Sequence, residues 1–405
     1  MDKDKTQRLY HEDSTRVEFE AEIIERLVYE DKPALILDRT CFYPESGGQP
    51  SDQGTIEGSN IIKIVEDGEK IIHVLEKDVP GQRIRGQVDW TVRFDHMQQH
   101  SGQHILSQAF YEILKGETLS FHLGAGSSTV EIGIARIGED ELSRVERRAN
   151  AIIFEDRAIL TTFILPEKIS QIPLRKPPKK EGLIRVVEVD GFDYSACGGT
   201  HCRRTGEVGL IKIIKGERIR NNLRFEFVCG WRALADYSQK NRIVRQLSGQ
   251  FSAKDEDVLA SVGKLAEDLR AAKKTAKKSE ERLAVFEARE FIARAEGKVI
   301  KEVFTEKTPE SAKFLALTIV KQADFVVLFA VRSEARSHLV LAVSENLKLD
   351  ARQLVPVVSP VINGRGGGSP SLVEIAGDAG ADLSAALAKA EDFVKNSWFS
   401  SISCK

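Results

Sequence analysis

The first ninety or so residues alternate between apolar and polar positions in short stretches. Residues 17–23 and 84–90 place an apolar or small side chain at every second position, and a period of two indicates strands with one buried face. Between such strands lies the Pro/Gly-rich segment 43–54, in which Gly47 and Gly48 permit a positive φ or the close approach of another backbone. This pattern predicts a small N-terminal β-barrel with a glycine-rich loop.

A helical period replaces the alternation over residues 97–115. Further along, apolar residues alternate again at 130–134, follow one helical face at 142–152, and form two short strands at 184–189 and 208–214. These elements indicate an α+β domain. A cluster of cysteine, glycine and histidine lies between the last two strands.

The composition becomes charged and rich in alanine from about Trp231. Apolar positions between Val258 and Phe286 follow a 4-3-4-3 spacing, which indicates the seam of a coiled coil or of an antiparallel helix pair. Beyond Gly297, strands and helices resume around the glycine run 364–368, over about a hundred residues, which is a normal domain size. We therefore predict an α+β protein with a β-barrel domain at 1–92, an α+β domain at 93–230, coiled-coil helices at 231–298 and a C-terminal α/β domain at 299–405.

The overall composition excludes several classes of protein. With 405 residues and 41% hydrophobic side chains, the chain carries too much apolar material for disorder. Lys and Arg (59) nearly balance Asp and Glu (61), so any contact with nucleic acid has to come from local patches. No apolar run has the length of a membrane span and the N-terminus lacks the apolar core of a signal peptide, so we expect a cytoplasmic protein without a membrane partner. Five scattered cysteines argue against a disulfide scaffold and direct attention to metal binding.

Two short motifs carry potential metal ligands. His100 and His104 are four residues apart in a helical segment, so both imidazoles lie on one face. Ser101 stands where a zinc-protease helix carries its general base, which argues against protease chemistry. The second motif, Cys197-Gly-Gly-Thr-His201, adds a thiolate and a third imidazole, and a nitrogen and sulfur set favours Zn²⁺ over Mg²⁺ or Ca²⁺. Four protein ligands are typical of a structural zinc, whereas a loosely held histidine would leave room for catalysis.

These motifs resemble those of a known family. The two ligand motifs look like the paired HxxxH and CxxxH motifs of the editing domain of alanyl-tRNA synthetases, and residues 42–54 resemble the glycine-rich loop of the preceding barrel. Residues 364–377 resemble the glycine-rich stretch of the synthetase's C-terminal domain, which is related to the DHH-associated domain. The barrel begins within the first twenty residues and leaves no room for a class II aminoacylation core. The chain therefore resembles the free-standing, AlaX-type alanyl-tRNA editing proteins in their long form.

The resemblance implies a hydrolase that acts in trans, and without ATP, on mischarged tRNA for alanine. The expected substrate is chiefly the seryl ester, with the glycyl ester as a second candidate. An alanine-sized pocket cannot strongly reject an amino acid that adds one hydroxyl, so a separate hydrolytic site is needed. The family's pattern implies one Zn²⁺ per chain, with His100, His104, Cys197 and His201 as ligands. An ordered water would attack the ester without a covalent intermediate.

The resemblance also suggests which residue reads the serine hydroxyl. A site that hydrogen-bonds that hydroxyl rejects alanine strongly, because its own polar group would otherwise stay unpaired. His122 lies on the strand after the HxxxH helix, where family members carry a polar discriminating residue. An ordinary strand-face histidine is the alternative, and Ser120 is the other candidate.

Further candidates lie in loops. Gln49, with Gly47 and Gly48, belongs to the loop that in the family approaches the editing pocket and affects selectivity; a structural turn is the alternative. Asp193 could contact the ammonium of a ligand or hold a zinc-bound imidazole, or could serve only as a turn residue.

Binding of tRNA by a nearly neutral chain requires clustered cations. Arg365 lies within the glycine run, where exposed backbone N–H groups can approach a phosphate or ribose. Two further groups of cations are Lys273, Lys274, Lys277 and Lys278 on the predicted coiled coil, and Arg175, Lys176, Lys179 and Lys180 around a Pro-Pro pair. Contacts of this kind make affinity strongly salt-dependent, although a solvated face is the alternative for each group. By resemblance, the C-terminal domain would bind the tRNA elbow or form a homodimer.

Two other functions compete with the hydrolase. One is a non-catalytic tRNA-binding module with a structural zinc. The other is a phosphoesterase or nuclease, suggested by the DHH-associated resemblance, but the chain has no DHH triplet and no Asp-rich cluster. The hydrolase and the tRNA-binding module differ in whether the seryl ester is cleaved.

Overall fold

A computed structural model of the chain describes residues 5–177 and 182–399. Its contacts divide the chain into two compact units, Met1–Leu247 and Ser248–Lys405. Several separate sheets, most of them antiparallel, combine with helices in these units, and the α+β class is confirmed. Within the described residues, no helix has both the length and the apolarity required to cross a bilayer. The finer division into four parts stays a prediction.

The first unit begins with a small barrel. Its elements are β1 (Gln7–Arg8), α1 (Leu9–Glu12), β2 (Glu18–Tyr29), β3 (Lys32–Leu37), β4 (Arg39–Thr40), β5 (Gly54–Ile56), β6 (Ser59–Asp67), β7 (Lys70–Leu75) and β8 (Arg83–Val88). Six of the strands close in the order β2-β3-β7-β6-β5-β8. The alternation in β2 buries Phe19, Ala21 and Ile23, because successive side chains of a strand point to opposite faces. The long loop between β4 and β5 carries the glycine-rich segment.

The rest of the first unit is the α+β part. Its elements are α2 (Trp90–Leu114), β9 (Thr118–Leu123), β10 (Ser128–Ile132), α3 (Glu139–Phe154), β11 (Ile159–Ile164), β12 (Ile184–Val189), β13 (Asp193–Ala196), β14 (Ile211–Ile219), β15 (Asn222–Cys229) and α4 (Gly230–Phe251). Two sheets form, in the orders β14-β15-β10-β9 and β11-β12-β13. Helix α2 begins earlier than its apolar period predicts, because the Asp89 side chain accepts hydrogen bonds from the N–H groups of Thr91 and Val92 and caps it there.

A buried ion pair joins the start of α2 to the glycine-rich loop. Arg93 and Asp52 are both inaccessible at the side chain, and Arg93 Nε donates to Asp52 Oδ1 at 2.9 Å. The same guanidinium donates to the carbonyl oxygens of Ser14 and Cys41, each at 2.6 Å. Asp52 also accepts from the backbone N–H of Tyr43. Every charge of the pair is thus compensated, as a buried ion pair requires.

The second unit contains one long helix and a five-stranded sheet. Its elements are α5 (Val258–Arg294), β16 (Val299–Phe304), α6 (Pro309–Gln322), β17 (Val326–Arg332), β18 (Ser337–Val343), α7 (Val355–Val358), β19 (Arg365–Ser369), β20 (Leu372–Gly377) and α8 (Leu383–Phe393). The strand order is β16-β17-β18-β20-β19, so the glycine run forms the edge strand β19. Near its end α5 packs against α6 through Ala284 and Ala288. Leu265, Leu269 and Leu283 of the predicted seam are exposed, and their pairing in a coiled coil stays a prediction.

Replacing Arg93 with Met should destabilise the first unit by about 3–5 kcal/mol, because the buried carboxylate of Asp52 loses its counter-charge. Arg85, whose pair with Glu18 is exposed, is the matched control, and Arg85→Met should leave the unfolding midpoint almost unchanged, because exposed ion pairs contribute little to stability. Urea unfolding followed by tryptophan fluorescence measures both. Equal shifts of the two midpoints would contradict a special role for the buried pair.

Candidate metal centre and adjoining cavity

Four side chains from two distant segments converge at one point. His100 and His104 lie on α2, and Cys197 and His201 lie in the loop after β13. Their donor atoms all lie within 4.8 Å of one another. Cys197 Sγ is 3.4 Å from His100 Nε2 and 3.3 Å from His201 Nε2. The structure therefore brings together the four ligands that the sequence motifs predict.

Each histidine is held at the ring nitrogen that faces away from this centre. The partners of Nδ1 are Gln49 Oε1 for His100 at 2.8 Å, Asp193 Oδ2 for His104 at 3.1 Å, and Ser101 Oγ for His201 at 3.2 Å. A hydrogen bond at one ring nitrogen fixes the tautomer and leaves the other nitrogen free to bind a metal. Three Nε2 atoms are thus oriented toward one position.

Asp193 is the centre of a charged network behind His104. Its Oδ1 accepts from Arg175 Nε at 2.8 Å, and its Oδ2 also accepts from the hydroxyl of Ser195 at 2.9 Å. Burial raises the pKa of Asp193, but His104 and Arg175 outweigh burial and lower the pKa overall. Burial lowers the pKa of His104, but the bonds to Asp193 and Cys197 raise it to about 9. The carboxylate is therefore charged and acts on His104 rather than facing the centre.

The chemistry of the donor set fits a thiophilic metal. Burial raises the pKa of the Cys197 thiol, but the neighbouring His100 and His201 outweigh burial and hold the pKa well below its usual range. The thiolate is the form of cysteine that binds metals. The set contains three imidazoles, one thiolate and no carboxylate, and such donors suit Zn²⁺ and not Mg²⁺ or Ca²⁺. The residues present could therefore hold one metal ion.

The loop 197–201 is fixed from two sides. Arg185 Nη1 donates to the carbonyl oxygens of Cys197 and Gly199, at 2.8 and 2.9 Å. On the opposite side, Gln49 donates to the hydroxyl of Thr200 at 2.9 Å and accepts from its N–H at 3.1 Å. Gln49 therefore contacts both ligand motifs, although it belongs to the barrel loop.

Glycine is required at two positions where the backbone packs closely against a neighbouring residue. A Cβ on Gly199 would lie 2.2 Å from His100 Cε1 and 2.8 Å from Gln49 Oε1, which no side chain can occupy. Gly48 has a φ of +84°, and a Cβ there would lie 3.0 Å from the carbonyl oxygen of Phe121. The glycine-rich loop thus packs directly on β9, and Phe121 in turn contacts His100 with ring centroids 5.4 Å apart.

A cavity of about 1180 Å³ lies beside the candidate metal ligands His104 and Cys197. This volume lies just above the range of about 300–1,000 Å³ that is typical of ligand pockets. Barrel and α+β residues both line it, including Gly47 and Ser120. Six cationic side chains (Lys5, Arg8, Arg39, Arg175, Lys176, Arg185) and four acidic ones (Glu12, Asp38, Glu66, Glu69) face it. The excess of positive charge suits an anionic ligand.

Several predicted residues lie elsewhere. His122 is exposed on β9, opposite Thr129 of β10, and does not line the cavity. Arg365 is exposed on the edge strand β19. Lys273, Lys274, Lys277 and Lys278 are exposed on α5, whereas Lys179 and Lys180 lie outside the described residues. Of these residues, none that the structure describes belongs to the candidate metal centre, and the roles of all of them stay predictions.

Some important residues were missed by sequence reasoning. The sequence indicates Ser101 only as the residue in place of a general base, yet its hydroxyl is hydrogen-bonded to His201 Nδ1 at 3.2 Å. Arg175 was predicted to contact RNA, but its side chain is largely buried against Asp193. Arg185 had no signal in the sequence, because its role follows from the position of its strand beside the CGGTH loop. Gln103, between the two helical ligands, also lines the cavity.

Comparison with known proteins agrees with the motifs. A family model described as the second additional domain of threonyl and alanyl tRNA synthetases matches residues 184–225, and one described as class II (A) tRNA synthetases matches residues 3–93. Together these segments include the barrel and the second ligand motif.

Relatives match over most of the chain. The alanyl-tRNA editing protein AlaX-L of Pyrococcus horikoshii is 29% identical over 384 residues, which cover 90% of this chain and 93% of that protein. The alanine–tRNA ligase of Pyrococcus abyssi is also 29% identical, over 91% of this chain but only 42% of the ligase. The chain thus spans less than half of that ligase. A solved C-Ala domain of Aquifex aeolicus alanyl-tRNA synthetase is 28% identical over 22% of this chain and 84% of the domain, with a TM-score of 0.21. The resemblance to long AlaX-type editing proteins is confirmed.

Replacing Gly199 with Ala should weaken metal binding by at least about 10-fold, because the new Cβ displaces His100 or its partner Gln49. Gly198 is the matched control, since a Cβ there meets nothing within 4 Å. Titration with Co²⁺, whose visible spectrum reports thiolate and imidazole ligation, gives the affinity of each variant. Equal affinities for Gly199→Ala and Gly198→Ala would refute the steric argument.

Proposed function

We propose that the protein hydrolyses the ester bond of tRNA(Ala) mischarged with serine, and as a second substrate with glycine, with the help of one zinc ion. The observation that carries the proposal is a preorganised set of nitrogen and sulfur donors beside a large cavity in which cationic side chains outnumber acidic ones. The similarity to an AlaX-L editing protein over 90% of the chain supports it. The same cavity would receive the acceptor end of the tRNA.

The four ligands His100, His104, Cys197 and His201 would hold the zinc. When bound, zinc would supply Lewis-acid polarisation of the ester carbonyl or of a water. Gln49, Asp193 and Ser101 act through the imidazoles and not on the substrate, because each binds a ligand histidine at Nδ1. We therefore assign them as positioning residues; for Asp193 this agrees with the expected option of holding a zinc-bound imidazole, and for Gln49 it gives the barrel loop a role at the ligands.

Selection of serine requires a polar group at the cavity wall. Ser120 lines the cavity and its hydroxyl lies 3.3 Å from Glu131 Oε2. His122 lies two residues further along β9 and is exposed, as Ser120 is, but it does not line the cavity. We therefore propose that Ser120 hydrogen-bonds the serine hydroxyl of the substrate, with His122 as the alternative.

The rest of the tRNA would contact the second unit. Arg365 on the exposed edge strand and the four lysines of α5 offer cations to phosphates. The same unit could instead form a homodimer, which the exposed apolar residues of α5 would favour. Both uses are compatible with hydrolysis in the first unit.

One observation favours a second function. A metal site with four protein ligands is typical of structural zinc, which would pin α2 to the CGGTH loop without chemistry. The protein would then bind tRNA and leave the ester intact. An assay of ester cleavage separates the two functions.

The zinc-loaded protein should release serine from Ser-tRNA(Ala) and leave Ala-tRNA(Ala) intact, as measured by loss of the radiolabelled amino acid. Cys197→Ala should lose both zinc and activity, because the thiolate ligand is gone. Cys202, the adjacent buried cysteine, is the control, and Cys202→Ala should keep both. If zinc-loaded protein binds Ser-tRNA(Ala) but does not cleave its ester, the hydrolase is ruled out and the protein is a tRNA-binding module.

Replacing Gln49 with Leu should weaken zinc binding by about 10–100-fold, since His100 loses the acceptor that fixes its tautomer. Gln49→Glu keeps an acceptor for His100 and should weaken zinc binding less than Gln49→Leu does. Gln53, exposed in the same loop, serves as control through Gln53→Leu. Competition with a zinc chelator gives the affinities. A Gln49→Leu variant with the zinc affinity of the wild type would rule out the positioning role.

A further inference from the structure

A row of side chains leads across the sheet β11-β12-β13 from the metal centre to an exposed aromatic ring. Phe163 on β11 is directly opposite Arg185 on β12, and the N–H of Cys197, just after β13, donates to the carbonyl of Arg185. Residues directly opposite in a sheet project from the same face. Phe163, Arg185 and Cys197 accordingly all line the cavity. Two strand spacings, about 10 Å, separate Phe163 from the metal ligand.

The far end of this row is apolar and exposed. Phe163 is 46% exposed and Leu183 is 60% exposed, and both line the cavity. The ring of His11 lies beside Phe163, with centroids 6.3 Å apart and planes tilted by 57°. Its Nε2 donates to the carbonyl of Gly198 at 3.1 Å, next to the ligand Cys197. Large apolar side chains left open at a charged cavity mark a binding surface.

Positive charge lies beside this surface. Arg185 donates only to carbonyl and hydroxyl oxygens, and no carboxylate of the described residues pairs with it. Lys176, across the cavity, binds the carbonyl of Thr118 and likewise has no carboxylate partner in the described part of the chain. An aromatic face flanked by cations is the arrangement on which proteins stack unpaired nucleic-acid bases.

We propose that Phe163, with His11 and Leu183, forms a platform on which the 3′-terminal base of the aminoacylated RNA stacks. The proposal rests on the proposed function, because it requires the ester of that terminal nucleoside to lie at the metal centre. The ribose then spans the wall between Phe163 and Cys197, with Arg185 beneath it. Stacking reads the face of a base and not its edge, so the platform supplies affinity without selecting among tRNAs that share the same 3′ end.

Two hydrolysis-resistant probes test the platform. Both carry serine on a 3′-amide of a 5′-phosphorylated ribose; one has adenine, and the other has hydrogen in place of the base. Calorimetry measures their dissociation constants for the zinc-loaded full chain, and deacylation of Ser-tRNA(Ala) is followed in parallel. The wild type should bind the adenine probe about 5- to 150-fold more tightly than the abasic probe.

Variants at Phe163 separate stacking from general apolar contact. Phe163→Ala and Phe163→Leu should remove most of the preference for the adenine probe and leave the abasic probe unaffected, whereas Phe163→Trp should keep the preference. Phe154, which is 78% exposed and does not line the cavity, is the control, and Phe154→Ala should behave as the wild type.

The outcomes separate failure of the stacking platform from failure of the proposed hydrolase function. Normal deacylation with equal affinity for both probes, or a preference that survives Phe163→Ala, would overturn the platform and leave the hydrolase intact. No deacylation together with no binding of either probe would overturn both. Base-dependent binding that requires an aromatic residue at position 163 supports the platform whatever the rate of deacylation.

Discussion

The site depends on how three imidazole rings are fixed at the nitrogen that faces away from the centre. A histidine can present either ring nitrogen, and without a partner at Nδ1 the three rings would sample orientations in which their lone pairs diverge. Gln49, Asp193 and Ser101 remove that freedom, one for each ring. Because these partners come from the barrel loop, from β13 and from α2 itself, the candidate metal centre requires all three segments to be packed together. Positioning partners of this kind commonly influence metal affinity strongly.

The barrel is therefore part of the site and not an appended domain. The buried pair of Arg93 and Asp52 fixes the start of α2 to the loop that carries Gln49. Two turns further along the same helix, His100 donates its Nδ1–H to Gln49 Oε1. Gly48 allows that loop to lie against the backbone of β9. A movement of the barrel would thus be transmitted to the candidate ligand His100.

Charge is distributed locally in a nearly neutral chain. The six cations around the cavity exceed its acids, while the formal charge of the whole chain is −2. Several of these cations serve the fold as well, since Arg175 binds Asp193 and Arg8 binds Glu66. Arg185 is different, because it supports the ligand loop through carbonyl oxygens and keeps its charge uncompensated by any described carboxylate. A local field of this kind favours an anionic ligand without making the protein basic overall.

The sequence by itself determined the features that depend on local periodicity and chemistry. Alternation in residues 17–23 predicted a strand with one buried face, and the four-residue spacing of His100 and His104 predicted two ligands on one helical face. The CGGTH motif supplied the other two ligands, and the order of the motifs predicted the relatives. Only the tertiary structure decided that Gln49 and Asp193 bind the candidate ligand histidines, that His122 lies outside the lining of the cavity, and that Phe163 stands in one row with Arg185 and Cys197. These facts follow from strand register and from the packing of distant segments, and neither leaves a periodic signal in the chain.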